Sequence, residues 1–210
     1  MINGNYEVYV FDVDGTLYFQ RKVRMIMAKR LLVYYAFHPL RIKDLFIIKE
    51  FRALREKAQS VDMLYKDTGA KYKVSPEYVS DVIDKWIYKN PIDAVSCSKD
   101  EKLLCVIKKL KEAGKKIVIW SDYFADDKLE ALGVEADAVY TADDSERQIA
   151  LKPSDKALRL IMDDFNVSPD KVLMVGDRME KDGLAAKSAG TDYIILKKTA
   201  KEREGVYENA

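Results

Sequence analysis

Two aspartates separated by one residue stand directly after an apolar, β-rich run near the N-terminus. Residues 6–11 lead into Asp12 and Asp14, which are followed by Gly15 and Thr16. Two carboxylates this close repel each other unless a cation or protons intervene. Such hard oxygen ligands suit Mg²⁺, which also accepts water and phosphate oxygens. An acidic turn is the plainer alternative, because Asp-Gly is a common turn pair, but the buried run before it favours a functional site.

Polar residues also follow other strand-like runs of the chain. Ser121 comes directly after residues 116–120, and Asp177 follows shortly after residues 172–175. In an open parallel sheet, ligands bind beyond the carboxyl ends of the strands, so these positions are where a site is expected. Taken alone, Ser121 reads as a turn hydroxyl and Asp177 as a helix N-cap. The recurrence of polar residues at strand after strand favours a shared site.

Strand-like and helix-like runs alternate through most of the chain. This alternation predicts an α/β fold with a doubly wound (Rossmann-like), mostly parallel sheet that is covered by helices on both faces. The tail from Lys197 is charged, and we expect it to be an exposed end. Strands are predicted at residues 6–11, 116–120, 138–140, 172–175 and 193–196, and helices at residues 99–113, at about 125–132, after Ser154 and up to Ser188.

A long segment after the first predicted strand has a different pattern. Its apolar residues recur at helical spacing in four stretches with no strand between them, which predicts a helical unit. The third stretch begins at Val61, and Ser75 with Pro76 marks the start of the fourth, because serine caps helices and proline suits the first turn. We therefore divide the chain into an α/β core domain, residues 1–19 and 92–210, and an inserted helical cap domain, residues 20–91.

Composition narrows the classes of function. The 210 residues are 48% hydrophobic, which is enough for a core without disulfide or metal staples. Thirty-six basic and 35 acidic residues give a net charge of +1, which disfavours a nucleic-acid binder held by overall charge. The N-terminal residues have no signal-peptide pattern, and Cys97 and Cys105 form no metal-binding pattern. We expect a cytoplasmic protein that binds no nucleic acid, and the oligomeric state stays open.

Four segments of the chain, taken in order, resemble the four motifs of the haloacid dehalogenase-like (HAD) hydrolase superfamily. The run Asp-Val-Asp-Gly-Thr-Leu from Asp12 resembles the first motif, and Ser121 at the end of its strand resembles the second. Lys152, which is followed by proline, resembles the third motif. An aspartate pair separated by four residues, Asp177 and Asp182, resembles the fourth. The motifs cover the core from end to end, and the helical insertion matches the helical cap class of the superfamily.

The resemblance implies phosphoryl transfer through a covalent aspartyl-phosphate. Asp12 would attack phosphorus, as carboxylate nucleophiles do, and Asp14 would protonate the leaving oxygen and then deprotonate the attacking water. The implied reaction is hydrolysis of a small soluble phosphorylated metabolite, with Mg²⁺ as the cofactor. The implied metal ligands are Asp12, Asp14 through its backbone carbonyl, Asp177 and Asp182, and the implied phosphate-binding residues are Thr16, Ser121 and Lys152.

Related activities share these motifs. Dehalogenases of the superfamily lack the second aspartate of the first motif, so Asp14 favours phosphate chemistry. A phosphonate hydrolase would need a cap lysine that forms an imine with the substrate, and no lysine stands out by its context. A phosphosugar mutase would use the same nucleophile, and a binding protein could keep the fold without turnover; both stay open. Asp122 replaces an asparagine that relatives often carry, so its carboxylate either points away from phosphate or recognises a polar or cationic substrate group.

The segment of residues 21–57 is strongly basic, with eleven basic residues against three acids and a net charge of +8. A basic lid would concentrate an anionic phosphoester near the site, although a solvated helical face also accounts for most of these charges. Attachment to anionic lipid is a third interpretation, because basic amphipathic helices with Tyr and Phe can lie on membranes. We expect no stable membrane association, because the same apolar stripes are needed to pack the cap.

Overall fold

The apolar strand-like runs pair into one parallel sheet. In the computed structural model, which describes residues 2, 5–57, 63–141, 144, 147 and 149–207, the strands have the order β3-β2-β1-β4-β5. Every pairing is parallel, so the carboxyl ends of the strands lie at one edge. The predicted α/β fold is confirmed. The strands are β1 (Val8–Phe11), β2 (Lys116–Ser121), β3 (Ala138–Thr141), β4 (Val172–Gly176) and β5 (Asp192–Ile195).

Helices cover both faces of this sheet. All four residues of the central strand β1 are buried, with Tyr9 and Phe11 in one apolar cluster and Val8 and Val10 in another, as expected for a parallel strand between two helical layers. The helices are α1 (Gln20–Phe37), α2 (Lys43–Lys57), α3 (Leu64–Tyr72), α4 (Pro76–Ile83), α5 (Ile92–Ser96), α6 (Glu101–Glu112), α7 (Asp126–Leu132), α8 (Lys156–Phe165), α9 (Leu184–Ala189) and α10 (Ala200–Tyr207), with π-helical segments at Asp84–Lys89 and Met179–Gly183 and 3-10 turns at Pro39–Arg41 and Pro169–Lys171.

The described residues between Gln20 and Lys89 are mostly helical, as the apolar spacing predicts. Ser75 caps α4, since its hydroxyl oxygen accepts a hydrogen bond from the backbone N–H of Tyr78 at 3.2 Å. Val61, which begins the third predicted stretch, lies outside the described residues. We call α1–α4 and the segment Asp84–Lys89 the inserted helices; the division into a cap of residues 20–91 and a surrounding core stays a prediction.

The C-terminal tail differs in part from the prediction. Residues 200–207 form α10, and Arg203 on this helix is only 1% exposed. Its guanidinium donates to the carbonyl oxygens of Gly15 and Thr16 at 2.5 and 2.8 Å and to the carboxylate of Asp100 at 3.0 Å. The prediction of an exposed end therefore holds for most of the tail, since residues 197–202, 204 and 205 are exposed, but it fails at Arg203, which is buried beneath the loop that follows β1.

None of the helices among the described residues combines the length and the apolar character that crossing a lipid bilayer requires.

Candidate active site

A cleft of about 660 Å³ lies between the carboxyl edge of the sheet and the inserted helices. Its sheet side is formed by residues from loops that follow different strands, and its other side by α1, α2 and the π-helical segment Asp84–Lys89. The sheet side includes five of the residues predicted from the motifs, namely Asp12, Asp14, Lys152, Asp177 and Asp182. Sequence positions 170 residues apart thus meet at one edge, because adjacent parallel strands end together.

Three carboxylates converge at the base of the cleft. Asp12, Asp177 and Asp182 each offer an oxygen, and these oxygens all lie within 4.8 Å of one another. Two glycines allow this approach: a Cβ added at Gly15 would collide with the carboxylate of Asp177, and one added at Gly176 would collide with that of Asp182. Gly15 also has a φ of +96°, which residues with a side chain rarely adopt.

The convergence perturbs the acidity of these groups. Burial, together with the charges of Asp182 and Asp177, raises the pKa of Asp12 to about 8, although the Lys152 ammonium opposes the rise. Burial and the charge of Asp182 raise the pKa of Asp177 to about 6. Without a cation, the cluster therefore resists carrying its full negative charge at neutral pH, so it is a place where positive charge is stabilised.

These residues fit a divalent cation of the Mg²⁺ type. The donors are carboxylate oxygens, which Mg²⁺ prefers. Among the described residues, Asp177 Oδ1 is buried and has no hydrogen-bond partner. A buried carboxylate oxygen without a partner is costly unless a ligand satisfies it, and a metal ion between the three carboxylates would do so.

Lys152 provides the fixed positive charge of the site. Its ammonium lies 2.7 Å from Asp12 Oδ1 and 2.8 Å from Asp182 Oδ1, and the side chain is 2% exposed. Burial by itself lowers the pKa of Lys152, but the charges of Asp12 and Asp182 outweigh it and hold that pKa above its ordinary value. Lys152 is therefore a buried cation that contacts two of the three clustered carboxylates.

Asp122 holds the segment that carries Lys152. Its Oδ1 accepts a hydrogen bond from the Lys152 backbone N–H at 3.0 Å, and its Oδ2 lies 4.0 Å from the ammonium of Lys181. Lys181 in turn donates to the Lys152 carbonyl oxygen at 2.6 Å. Arg55 from α2 donates to the Asp122 carbonyl oxygen at 2.9 Å, which links an inserted helix to the sheet. The Asp122 carboxylate is thus engaged with the neighbouring loop and lies beside a compensating cation.

Asp14 has partners that the motifs did not reveal. Its Oδ1 accepts from the Lys128 ammonium at 2.6 Å and from the hydroxyl of Tyr18. Burial by itself raises the pKa of Asp14, but Lys128 and Tyr18 outweigh it, so the pKa lies below its ordinary value. A signal for Lys128 was present in the sequence: it falls on the apolar face of α7, beside Leu129 and Leu132, where a solvated lysine is not expected.

Thr16 and Ser121 lie near the site but do not line the cleft. Thr16 is fully buried, and its hydroxyl donates to Asp12 Oδ2 at 2.9 Å. Ser121 is 1% exposed, and its hydroxyl oxygen accepts from the backbone N–H of Tyr123 at 3.1 Å. Thr16 therefore orients the Asp12 carboxylate from within the loop, and Ser121 shapes the turn after β2. A direct contact of either hydroxyl with phosphate stays a prediction.

The inserted helices give the cleft a mixed lining. Arg24 from α1 and Arg52 from α2 bring positive charge to this side. The remaining surface is largely apolar, with the residues Val23, Met27, Leu31, Ile48, Trp86 and Ile87. This side can therefore contact both an anionic group and an apolar group of a bound molecule.

Comparison with known proteins agrees with this geometry. The family model of haloacid dehalogenase-like hydrolases matches residues 6–190. A protein described as a HAD-hydrolase, YfnB from Bacillus subtilis bound to magnesium, has a TM-score of 0.66 at 13% identity, with 97% of each chain covered. A 2-haloacid dehalogenase from Pseudomonas syringae has a TM-score of 0.63 at 14% identity, covering 93% of this chain and 86% of its own.

A third solved structure, a predicted phosphoglycolate phosphatase from Haemophilus somnus, has a TM-score of 0.61 at 14% identity, covering 98% of this chain and 93% of its own. At these identities the solved structures show a shared fold. No curated protein sequence gives a significant match. The family resemblance read from the four motifs is confirmed by the family model.

Proposed function

Because this chain belongs to the haloacid dehalogenase-like hydrolase family, we propose that it is a Mg²⁺-dependent phosphomonoester hydrolase. It acts through a phosphorylated Asp12 on a small phosphorylated metabolite, and we place it in the cytoplasm. One observation carries the proposal. A second carboxylate, Asp14, lines the same cleft as Asp12 and the acidic cluster, which supplies both a nucleophile and a proton-transfer group.

In the first step, an oxygen of Asp12 attacks phosphorus and the bond from phosphorus to the ester oxygen breaks. The leaving oxygen takes a proton from Asp14. Thr16 donates to one Asp12 oxygen and Lys152 to the other, so the attacking carboxylate is held in a single orientation. The Lys152 ammonium also offsets negative charge as the phosphate approaches.

In the second step, water transfers a proton to Asp14 and attacks phosphorus. The bond from phosphorus to Asp12 breaks, so the carboxylate is restored and inorganic phosphate leaves. Lys128 and Tyr18 stabilise Asp14 as a carboxylate, which is the form that accepts a proton in this step. The protonated form that the first step requires takes its proton from solvent when the substrate binds, because the negative charge of the phosphate raises the pKa of Asp14.

A metal ion at this site would be held by Asp12, Asp177 and Asp182, with the backbone carbonyl of Asp14. When bound, Mg²⁺ supplies positive charge that reduces repulsion between a carboxylate nucleophile and a phosphate group.

The alternatives differ in what the site must provide. Dehalogenases of the superfamily lack the second aspartate, so Asp14 argues against carbon–halogen chemistry here. A phosphosugar mutase would use Asp12 in the same way but return the phosphoryl group to a sugar. A non-catalytic binding protein would need none of these groups aligned, whereas Lys152 and Thr16 both orient Asp12.

The proposal is tested by phosphate release from p-nitrophenyl phosphate with Mg²⁺ and with EDTA. We expect turnover that needs Mg²⁺ and that is lost in Asp12→Asn while the circular dichroism spectrum is unchanged. Wild-type protein without phosphate release on this compound or on a panel of metabolite phosphates would contradict the proposal. Interconversion of hexose phosphates without net phosphate release would instead identify a mutase.

A further inference from the structure

The outer surface of the inserted helices exposes a concentrated set of apolar side chains. Seven of the ten large apolar side chains that are exposed in the described part of the chain lie within residues 25–46. Leu40 is 98% exposed, Phe37 80% and Leu32 75%. Large exposed apolar patches mark interaction sites, whereas apolar residues that are exposed singly are common in most proteins. We call the set the hairpin surface: Met25, Leu32, Val33, Phe37, Leu40, Ile42 and Phe46.

Packing within the protein covers these side chains only in part, since their exposed fractions run from 51% to 98%. On α1, Val23 and Met27 are buried against the other inserted helices. At 3.6 residues per turn, Leu32 and Val33 fall on the opposite face of α1. The helix is therefore apolar on two faces, although only one face is buried. The expectation of no membrane association assumed that packing consumes the apolar stripes, and this assumption fails for the outer face.

The segment that carries the hairpin surface is also rich in positive charge. Residues 25–49 contain five basic residues against one acid, a net charge of +4. Lys29, Arg41, Lys43 and Lys49 are exposed. The acid, Asp44, is 3% exposed and accepts a hydrogen bond from the Tyr78 hydroxyl at 2.7 Å, so it is withdrawn from this surface. Exposed apolar residues interspersed along the segment with exposed cations suit an anionic lipid surface.

An open groove of about 590 Å³ adjoins the hairpin surface. Val33 and Phe37 form one side, and the rings of Tyr34 and Trp86, with centroids 5.1 Å apart, contribute an aromatic lining. Lys29 also borders the groove. The groove thus places apolar lining beside a cation, an arrangement that accepts the upper part of an acyl chain next to an anionic headgroup.

We propose that the hairpin surface docks the protein on the surface of an anionic lipid bilayer. Phe37 and Leu40 insert at the level of the headgroups, and Arg41, Lys43 and Lys29 bind the anionic headgroups. A symmetric contact between two copies is disfavoured, because it would bring the same cations together on both sides. The proposal concerns a surface outside the cleft, so it does not depend on the proposed activity.

The test is co-sedimentation with large unilamellar vesicles in about 0.15 M NaCl, where only close charges act. We expect the wild-type protein to bind vesicles of phosphatidylcholine with about one-third phosphatidylglycerol, and not phosphatidylcholine alone. Arg41→Gln with Lys43→Gln should weaken partitioning about 30-fold, at about 1 kcal/mol per basic residue. Phe37→Ser with Leu40→Ser should weaken it by about 10-fold or more, because less apolar surface is inserted.

Matched controls separate the hairpin surface from general effects. Lys108→Gln with Lys115→Gln removes the same charge from residues outside the inserted helices, and Leu184→Ser removes an exposed apolar residue that also lies outside them. We expect both controls to bind like wild type. Absence of binding to the phosphatidylglycerol vesicles would overturn the proposal, as would equal weakening by the controls. A dimer that dissociates in Phe37→Ser with Leu40→Ser, without vesicle binding, would assign the surface to self-association.

Discussion

Replacing Arg203 by methionine removes the cation that α10 places beneath the loop after β1. The guanidinium is 1% exposed and makes four hydrogen bonds, to the carbonyl oxygens of Gly15, Thr16 and Lys197 and to the carboxylate of Asp100. Methionine fills much of the same volume but donates no hydrogen bond. The change therefore leaves the Asp100 carboxylate, itself 3% exposed, without its cationic partner.

Breaking a buried ion pair by removing one partner costs about 3–5 kcal/mol of unfolding free energy. In a chain of this size, 1 kcal/mol corresponds to about 2–4 °C in Tm, so Tm should fall by roughly 10 °C. The same change also removes the hydrogen bonds through which Arg203 holds the carbonyl groups of residues 15 and 16 in place. Because misplacing reacting groups by about 1 Å costs on the order of 10²-fold, kcat should fall by at least about tenfold, with a smaller change in KM.

The assays are urea unfolding followed by circular dichroism and steady-state hydrolysis of p-nitrophenyl phosphate. Glu204→Gln is the matched control, because Glu204 is the next residue on α10 and pairs with Lys102 at 3.1 Å at the exposed surface. It should change stability by less than about 0.5 kcal/mol. Arg203→Lys should recover part of the lost stability by restoring the charge next to Asp100. A loss below about 1 kcal/mol in Arg203→Met, with unchanged kcat, would refute the assigned role of the tail.

Three further changes test the cleft. Asp177→Asn should raise the Mg²⁺ concentration for half-maximal activity by at least about 10–100-fold, measured by metal titration of turnover; an unchanged titration would exclude Asp177 as a ligand. Gly15→Ala should destabilise the fold by about 1–3 kcal/mol in urea unfolding, because φ is +96° and the new Cβ meets Asp177; wild-type stability would contradict the close approach. Lys128→Met should lower kcat about 10²-fold, because it removes the cation that pairs with Asp14. Lys128→Arg keeps a positive charge there and should retain part of the activity. Equal activity of the two variants would disprove the coupling.

The sequence predicted the fold and the carboxylate positions because both rest on local patterns. Apolar runs that end in polar residues mark the carboxyl ends of parallel strands, and Asp12 and Asp177 follow adjacent strands of the sheet. Parallel pairing then brings them together without further information. The spacing from Asp177 to Asp182 places both in one short loop and helix, so their convergence is also local.

The partners of these residues were not predictable in the same way. Lys128 meets Asp14 across 114 positions and Arg203 meets Gly15 across 188, and no spacing rule relates them. The place of Lys128 on the apolar face of α7 indicates that it is buried but not which residue it contacts, and Arg203 stands in a charged segment whose composition indicates exposure. For the hairpin surface, the expectation failed in the opposite direction. Apolar residues at helical spacing indicate burial, but α1 carries apolar residues on two faces, and Leu32 on its outer face is 75% exposed.

The central claim is that Asp12 becomes phosphorylated during turnover. The most direct measurement is peptide mass spectrometry after acid quenching of the protein in steady turnover, with borohydride reduction to trap an acyl phosphate. The account predicts that the modification lies on the peptide that contains Asp12 and is absent in Asp12→Asn. Turnover with the modification on a different residue, or on no residue of the protein, would contradict it.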